Sequence, residues 1–147
     1  MRAGLVVVIT GGSSGIGRAT ARALAARAAH LVLVARHAPA LEEAAEECRA
    51  LGAASVFTVP ADIRDGDAIA NIGRETLARH ERLDVWINNA AQLGFSRFDE
   101  TPPEVFRQII ETNVAGHRQR RAHCDRDIPR ARQRTSDQCR LDARPGH

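Results

Sequence analysis

The sequence predicts an α/β protein built on a doubly wound parallel sheet, and three observations carry that prediction. Strand-length apolar runs alternate with helical patterns from residue 5 to residue 116. The runs are continuously apolar instead of alternating, as in parallel strands covered on both faces. The first run ends in Thr10-Gly11-Gly12-Ser13-Ser14-Gly15-Ile16-Gly17, a glycine-rich turn that opens directly into an alanine-rich helix.

Taken in order, the elements read as βαβαβαβα. Leu5 to Thr10 forms the first strand, through Val6, Val7, Val8 and Ile9. A helix is expected over 15–29, with Ile16, Ala19, Ala23 and Leu24 at helical spacing and Arg18, Arg22 and Arg27 mostly turned outward. Leu31 to Ala35 is the second strand. The helix over 39–51 presents Glu42, Glu43, Glu46 and Glu47 to solvent, buries the stripe Leu41, Ala44, Ala45, Cys48, and is stopped by Gly52. Ser55 to Val59 is the third strand, 65–80 a helix, and Asp84 to Asn88 the fourth strand. The last helix starts at Thr101-Pro102-Pro103-Glu104, where Thr101 suits the N-cap, Pro102 the first helical position and Glu104 the reciprocal capping contact. Val105, Phe106, Ile109, Ile110 and Val114 then form an apolar face.

After Gly116 the pattern stops. Residues 1–117 carry 12 Arg and 14 acidic groups, a balance of −2, whereas residues 118–147 carry 9 Arg and 4 acidic groups, a balance of +5. The tail has no sustained apolar period, so it is expected to be disordered, giving one domain over 1–116 and a basic tail over 117–147. Arginine clusters neutralise phosphates, which leaves nucleic-acid binding through the tail as a minor alternative, although no aromatic side chains interleave the arginines. No apolar stretch reaches membrane-spanning length, and the first apolar run is too short for a secretory signal, so the chain is expected to be cytoplasmic. Cys48, Cys124 and Cys139 are odd in number and lack metal-like spacing, arguing against a disulfide framework or a metal centre.

The chemistry of the glycine loop follows from its backbone. Gly11 permits a tight turn out of the strand, Gly15 lets the main chain approach a phosphate, and Gly17 lets the helix pack close to the sheet. The helix start supplies unpaired N–H groups and partial positive charge. A strand, a turn and a helix start in this order suit the pyrophosphate of a dinucleotide, with Ser13, Ser14, Gly15 and Ile16 against it.

Further along, Asp62 stands just past the third strand in Pro60-Ala61-Asp62-Ile63-Arg64, Asn88-Asn89-Ala90-Ala91 closes the fourth strand, and Asn113 sits in Glu111-Thr112-Asn113-Val114. Taken alone, Asp62 is a turn carboxylate and Asn113 a locally bonded helix residue. Together with the glycine loop, and in this order, they resemble the classical short-chain dehydrogenase/reductase family over residues 3–116. The resemblance implies a Rossmann sheet in order 3-2-1-4, truncated before a fifth strand. It implies Asp62 and Ile63 against an adenine, Asn89, Ala90 and Ala91 lining the cofactor, and Asn113 as the asparagine of the family's catalytic tetrad. Ala91 departs from the family pattern, which has glycine there. Dimers or larger homo-oligomers are usual in the family, but a chain cut before the fifth strand loses much of that surface.

Cofactor choice is read from charge at the end of the second strand. Val34-Ala35-Arg36 offers a guanidinium and no acid, which favours NADP(H) over NAD(H). The family's reaction, interconversion of an alcohol and a carbonyl, needs a serine, a tyrosine and a lysine four residues after the tyrosine. These 147 residues contain no tyrosine and no lysine, and Ser136 lies in the tail with no strand before it. The expectation is therefore a dinucleotide-binding chain unable to run the family's proton transfer; a non-catalytic dinucleotide-binding module is the alternative. The tail suggests a reason. Read one nucleotide later, the codons of Gly116 to Ala122 permit A-T-V-N-G-A-R, and those of Asp137 to Arg144 permit I-N-V-A-S-M-L-G. Both resemble the family's continuation, which points to a frameshift near Ala115 or Gly116.

Overall fold

The computed structural model describes residues 4–94 and 97–115. The tail over 117–147, with Cys124, Ser136 and Cys139, lies outside the described residues. Four strands, β1 (Val6–Thr10), β2 (His30–Ala35), β3 (Ser55–Pro60) and β4 (Val85–Ile87), form one sheet in the order β3-β2-β1-β4. Every neighbouring pair is parallel. Three helices connect them: α1 (Gly15–Ala25), α2 (Ala38–Ala50) and α3 (Gly66–His80). Beyond β4 come a 3₁₀ turn at Phe98–Glu100, helix α4 (Pro103–Ile110) and a π-helical turn at Glu111–Ala115. Among the described residues, no helix is long and apolar enough to cross a membrane.

The two-residue period of a strand sorts the core into two layers. Val7 and Ile9 of β1, with Leu31 and Leu33 of β2, pack against Ala21 and Ala25 of α1 and Leu41, Ala44, Ala45 and Cys48 of α2. Val8, Val32 and Val34 face the other way, onto Ile69 and Ile72 of α3 and onto Ile63 and Leu83. All five residues of β1 are buried, which explains why its sequence is a continuous apolar run. Cys48 is a free thiol in the first layer, and burial raises its pKa.

Three expectations change. Helix α1 ends at Ala25, not near 29, and its buried residues are Gly17, Ala21 and Ala25, whereas Ile16, Ala19 and Ala23 are exposed. Small residues four apart let α1 lie close to the sheet, so closeness of approach outranks side-chain size in choosing the buried face. The chain then turns through Ala28 in the left-handed region (φ 54°) to start β2 at His30. Secondly, Arg18 is not simply outward, and Glu47 is not simply solvated. The Arg18 guanidinium donates to both Glu47 oxygens (Nε–Oε2 3.1 Å, Nη2–Oε1 2.9 Å), tying α1 to α2. Thirdly, α4 starts one residue later than its proline pattern suggests. Pro102 is the N-cap, and the Thr101 hydroxyl donates to the Arg97 carbonyl instead of capping the helix. A proline at the cap has no side-chain acceptor, and Thr101 is drawn into the preceding 3₁₀ turn.

Candidate dinucleotide site

The site lies at the C-terminal ends of the strands. After running outward through β1, β2 and β3, the chain returns to place β4 on the other side of β1. The crevice at that reversal is where open α/β sheets bind ligands. Here it is a cavity of about 450 Å³.

Its floor is the turn between β1 and α1. Gly11 and Gly12 donate their backbone N–H groups to the Val34 carbonyl (2.7 and 3.2 Å), fixing the turn to β2. Gly11 and Gly15 adopt φ of 70° and 50°, a region that favours glycine. A side chain on Gly17 would run into the Gly11 carbonyl oxygen, whereas a Cβ on Gly15 meets nothing within 4 Å. Gly17 therefore sets the helix against the turn, and Gly15 keeps the cavity open. Ser14, the N-cap of α1, is extended (φ −154°, ψ 170°), makes no side-chain capping bond, and is followed by no acidic residue in the first turn. Among the described residues, the N-terminal N–H groups of α1 thus receive no capping bond from Ser14 and no acid in the first turn where the helix meets the cavity, an arrangement that suits an anion.

The wall beside β1 is held by a polar stitch. The buried Thr10 hydroxyl donates to the Ile87 carbonyl (3.3 Å) and accepts from the backbone N–H groups of Asn89 (3.1 Å) and Ala90 (3.2 Å). In return the Asn89 side-chain amide donates to the carbonyls of Thr10 (3.2 Å) and Gly11 (3.3 Å). On the far side, Arg36 is exposed at the end of β2, and among the described residues it has no carboxylate within salt-bridge distance. His37 caps α2, its Nδ1 accepting from Ala40 N–H (3.3 Å). Asp62 is paired with Arg64, and that hydrogen-bonded pair, with a contribution from Arg36, holds the Asp62 carboxyl below the usual carboxylate range.

The structure brings Gly11, Ser13, Ser14, Gly15, Ile16, Arg36, Asp62, Ile63, Asn89, Ala90 and Ala91 to one cavity wall. Gly17 and Asn113 are not on it. Gly17 is buried between turn and sheet. Asn113 lies in the π-helical turn, and its amide is engaged by Gln92: Oδ1 accepts from Gln92 N–H and Nδ2 donates to the Gln92 carbonyl, both at 2.8 Å. The wall also includes Ala35, His37, Ala61, Leu93 and Thr112, which sequence reasoning did not single out. A usable signal existed for His37 and Ala61, which adjoin Arg36 and Asp62 at strand ends. None existed for Leu93 and Thr112, which reach the cavity only through the tertiary fold.

Comparison with known proteins agrees with this geometry. The family model described as short chain dehydrogenase matches residues 5–124. The chain belongs to the short-chain dehydrogenase family. It is 40% identical over 116 residues to 11-beta-hydroxysteroid dehydrogenase A of Sesamum indicum, covering 78% of this chain and 33% of that protein. Among solved structures, it superposes on an alcohol dehydrogenase of the archaeon Thermococcus sibiricus complexed with 5-hydroxy-NADP with a TM-score of 0.74 and 36% identity. That match covers 82% of this chain and 52% of the other. An NAD+-bound xylitol dehydrogenase gives a TM-score of 0.76 and 26% identity, over 82% and 46%. The chain spans about a third of the length of the curated relatives it matches and about half of the solved structures. Membership of this family brings a Rossmann fold of the kind that binds NAD(P), and the solved structures that the chain resembles include both NADP and NAD complexes.

Proposed function

We propose that the chain holds NADP(H) in this cavity: pyrophosphate on Gly11 to Ile16 and the start of α1, the ribose 2′-phosphate on Arg36, and adenine against Asp62 and Ile63. The carrying observation is one cavity bordered both by the N-terminus of α1, whose N-cap side chain makes no capping bond, and by Arg36, which among the described residues has no carboxylate within salt-bridge distance. An NAD-preferring wall would place an acid where Arg36 stands. When bound, a nicotinamide dinucleotide supplies a ring that gives or takes hydride. The proton that accompanies alcohol–carbonyl interconversion needs a titrating side chain at the substrate, and these 147 residues contain neither the tyrosine nor the lysine that the family uses. Asn113 does not replace them, because its amide is committed to the Gln92 backbone. The chain therefore binds a dinucleotide without turning over a substrate on its own.

Trp86 is the single tryptophan and serves as the reporter for a fluorescence titration. NADPH should bind with a Kd on the order of micromolar, with no oxidation of NADPH in the presence of carbonyl substrates. Arg36→Asp should weaken NADPH by about 10- to 100-fold, the scale of a lost charge-assisted contact, and leave NADH within about threefold. Equal losses for both cofactors would remove Arg36 from the reading, and turnover would overturn the inactivity.

The same proposal holds that residues from about 116 onward are an out-of-frame continuation of a longer dehydrogenase reading frame. Its support is the codon degeneracy at 116–122 and 137–144, which permits family-like text one nucleotide later. Resequencing the gene decides it: the shifted frame should encode a tyrosine and a lysine four residues apart shortly downstream, and their absence refutes the frameshift.

A further inference from the structure

Asp62 is held more firmly than a turn carboxylate needs to be. Arg64 Nε lies 3.0 Å from both carboxylate oxygens, Arg64 Nη2 lies 2.6 Å from Oδ2, and the Arg64 backbone N–H donates to Oδ1 at 2.9 Å. Three protons thus make four contacts, two on each carboxylate oxygen, with the Nε proton shared between them, so a further donor can compete at the shared position. The carboxylate borders the cavity, and the pair is partly open to solvent, with side chains 37% and 32% exposed for Arg64 and Asp62. At that exposure an ion pair adds little to stability, so its geometry asks for another role. A two-pronged guanidinium fixes the plane of the carboxylate it grips.

We propose that Arg64 is a positioning residue for purine recognition, presetting Asp62 as a fixed, acceptor-only group that takes a ligand's exocyclic amine and rejects a carbonyl oxygen at the same place. The inference rests on the reading that the cavity holds an adenine dinucleotide. A carboxyl is ionised at neutral pH, and the Arg64 contact lowers the Asp62 pKa further, so the group offers acceptors and no donor to a carbonyl.

The test is calorimetric titration of the full chain with NADP+ and with its hypoxanthine analogue, in which the 6-amino group is replaced by a carbonyl oxygen. The wild-type chain should favour the adenine form by about tenfold, the scale of one satisfied contact against one repulsive contact. Arg64→Gln should reduce that ratio to about twofold at an unchanged melting midpoint, and Arg64→Lys should restore part of it. Asp62→Asn, whose amide can donate, should move the preference toward the hypoxanthine form. A tenfold ratio that survives in Arg64→Gln overturns the role of Arg64 and leaves dinucleotide binding standing. A wild-type chain that binds neither compound removes the cofactor reading itself, and this inference with it.

Discussion

Gly17→Ala should cost the fold about 3 kcal/mol, read as a fall in the urea midpoint of unfolding, because the added methyl lands on the Gly11 carbonyl and beside the Asn89 amide. The Gly11 carbonyl is backbone and the Asn89 amide is held by the carbonyls of Thr10 and Gly11, so α1 must lift from the sheet, and Ala21 and Ala25 would lose their packing with it. For a domain whose whole stability is on the order of 5–15 kcal/mol, that is a large share. Gly15→Ala is the informative comparison. It occupies open space at the cavity and adds only a left-handed backbone penalty of about 1 kcal/mol, so it should keep the fold while obstructing the phosphate position. Equal midpoints for wild type and Gly17→Ala would show that the turn and helix are not in contact as described.

The second large effect is expected at Thr10. Valine there preserves shape but deletes the oxygen that accepts from Asn89 N–H and Ala90 N–H and donates to Ile87. Asn89 and Ala90 are half-buried, so each backbone donor left without its acceptor costs about 1 kcal/mol, and with the Ile87 contact also lost Thr10→Val should lose about 2–3 kcal/mol in total. Faster hydrogen exchange should be concentrated at Asn89 and Ala90. Thr10→Ser keeps the hydroxyl and should lose only about 1 kcal/mol, the value of the missing methyl. If valine and serine behave alike, the hydroxyl is not what joins the two strand ends.

Much of this was legible in the sequence, for reasons that differ by element. Strand β1 could be read because a strand covered on both sides must be apolar at every position. Sheet order 3-2-1-4 came from resemblance, since spacing alone does not say on which side of β1 the fourth strand lies. The cavity was legible where single residues have local jobs: Gly11 and Gly15 at turns, Arg36, Asp62 and Asn89 at strand ends. It was illegible where the role depends on what the fold brings near. Leu93 and Thr112 are unremarkable in sequence, and Arg64 reads as an ordinary surface charge until its grip on Asp62 is seen. The buried face of α1 misled for a physical reason, because apolar periodicity points to Ile16, Ala19 and Ala23 while the sheet selects the smallest residues.

The stitch between Thr10 and Asn89 also bears on the order in which the parts assemble. It joins residues 79 apart, whereas β1 meets β2 with Val6 opposite His30. Closing the longer loop costs about 1 kcal/mol more in chain entropy, before any contact at β4 offsets it. The entropy difference therefore favours pairing of β1 with β2 before β4 joins them. By the same token, amides of the crevice wall from Asn89 to Leu93 are expected to show weaker protection from hydrogen exchange than those of β1 and β2.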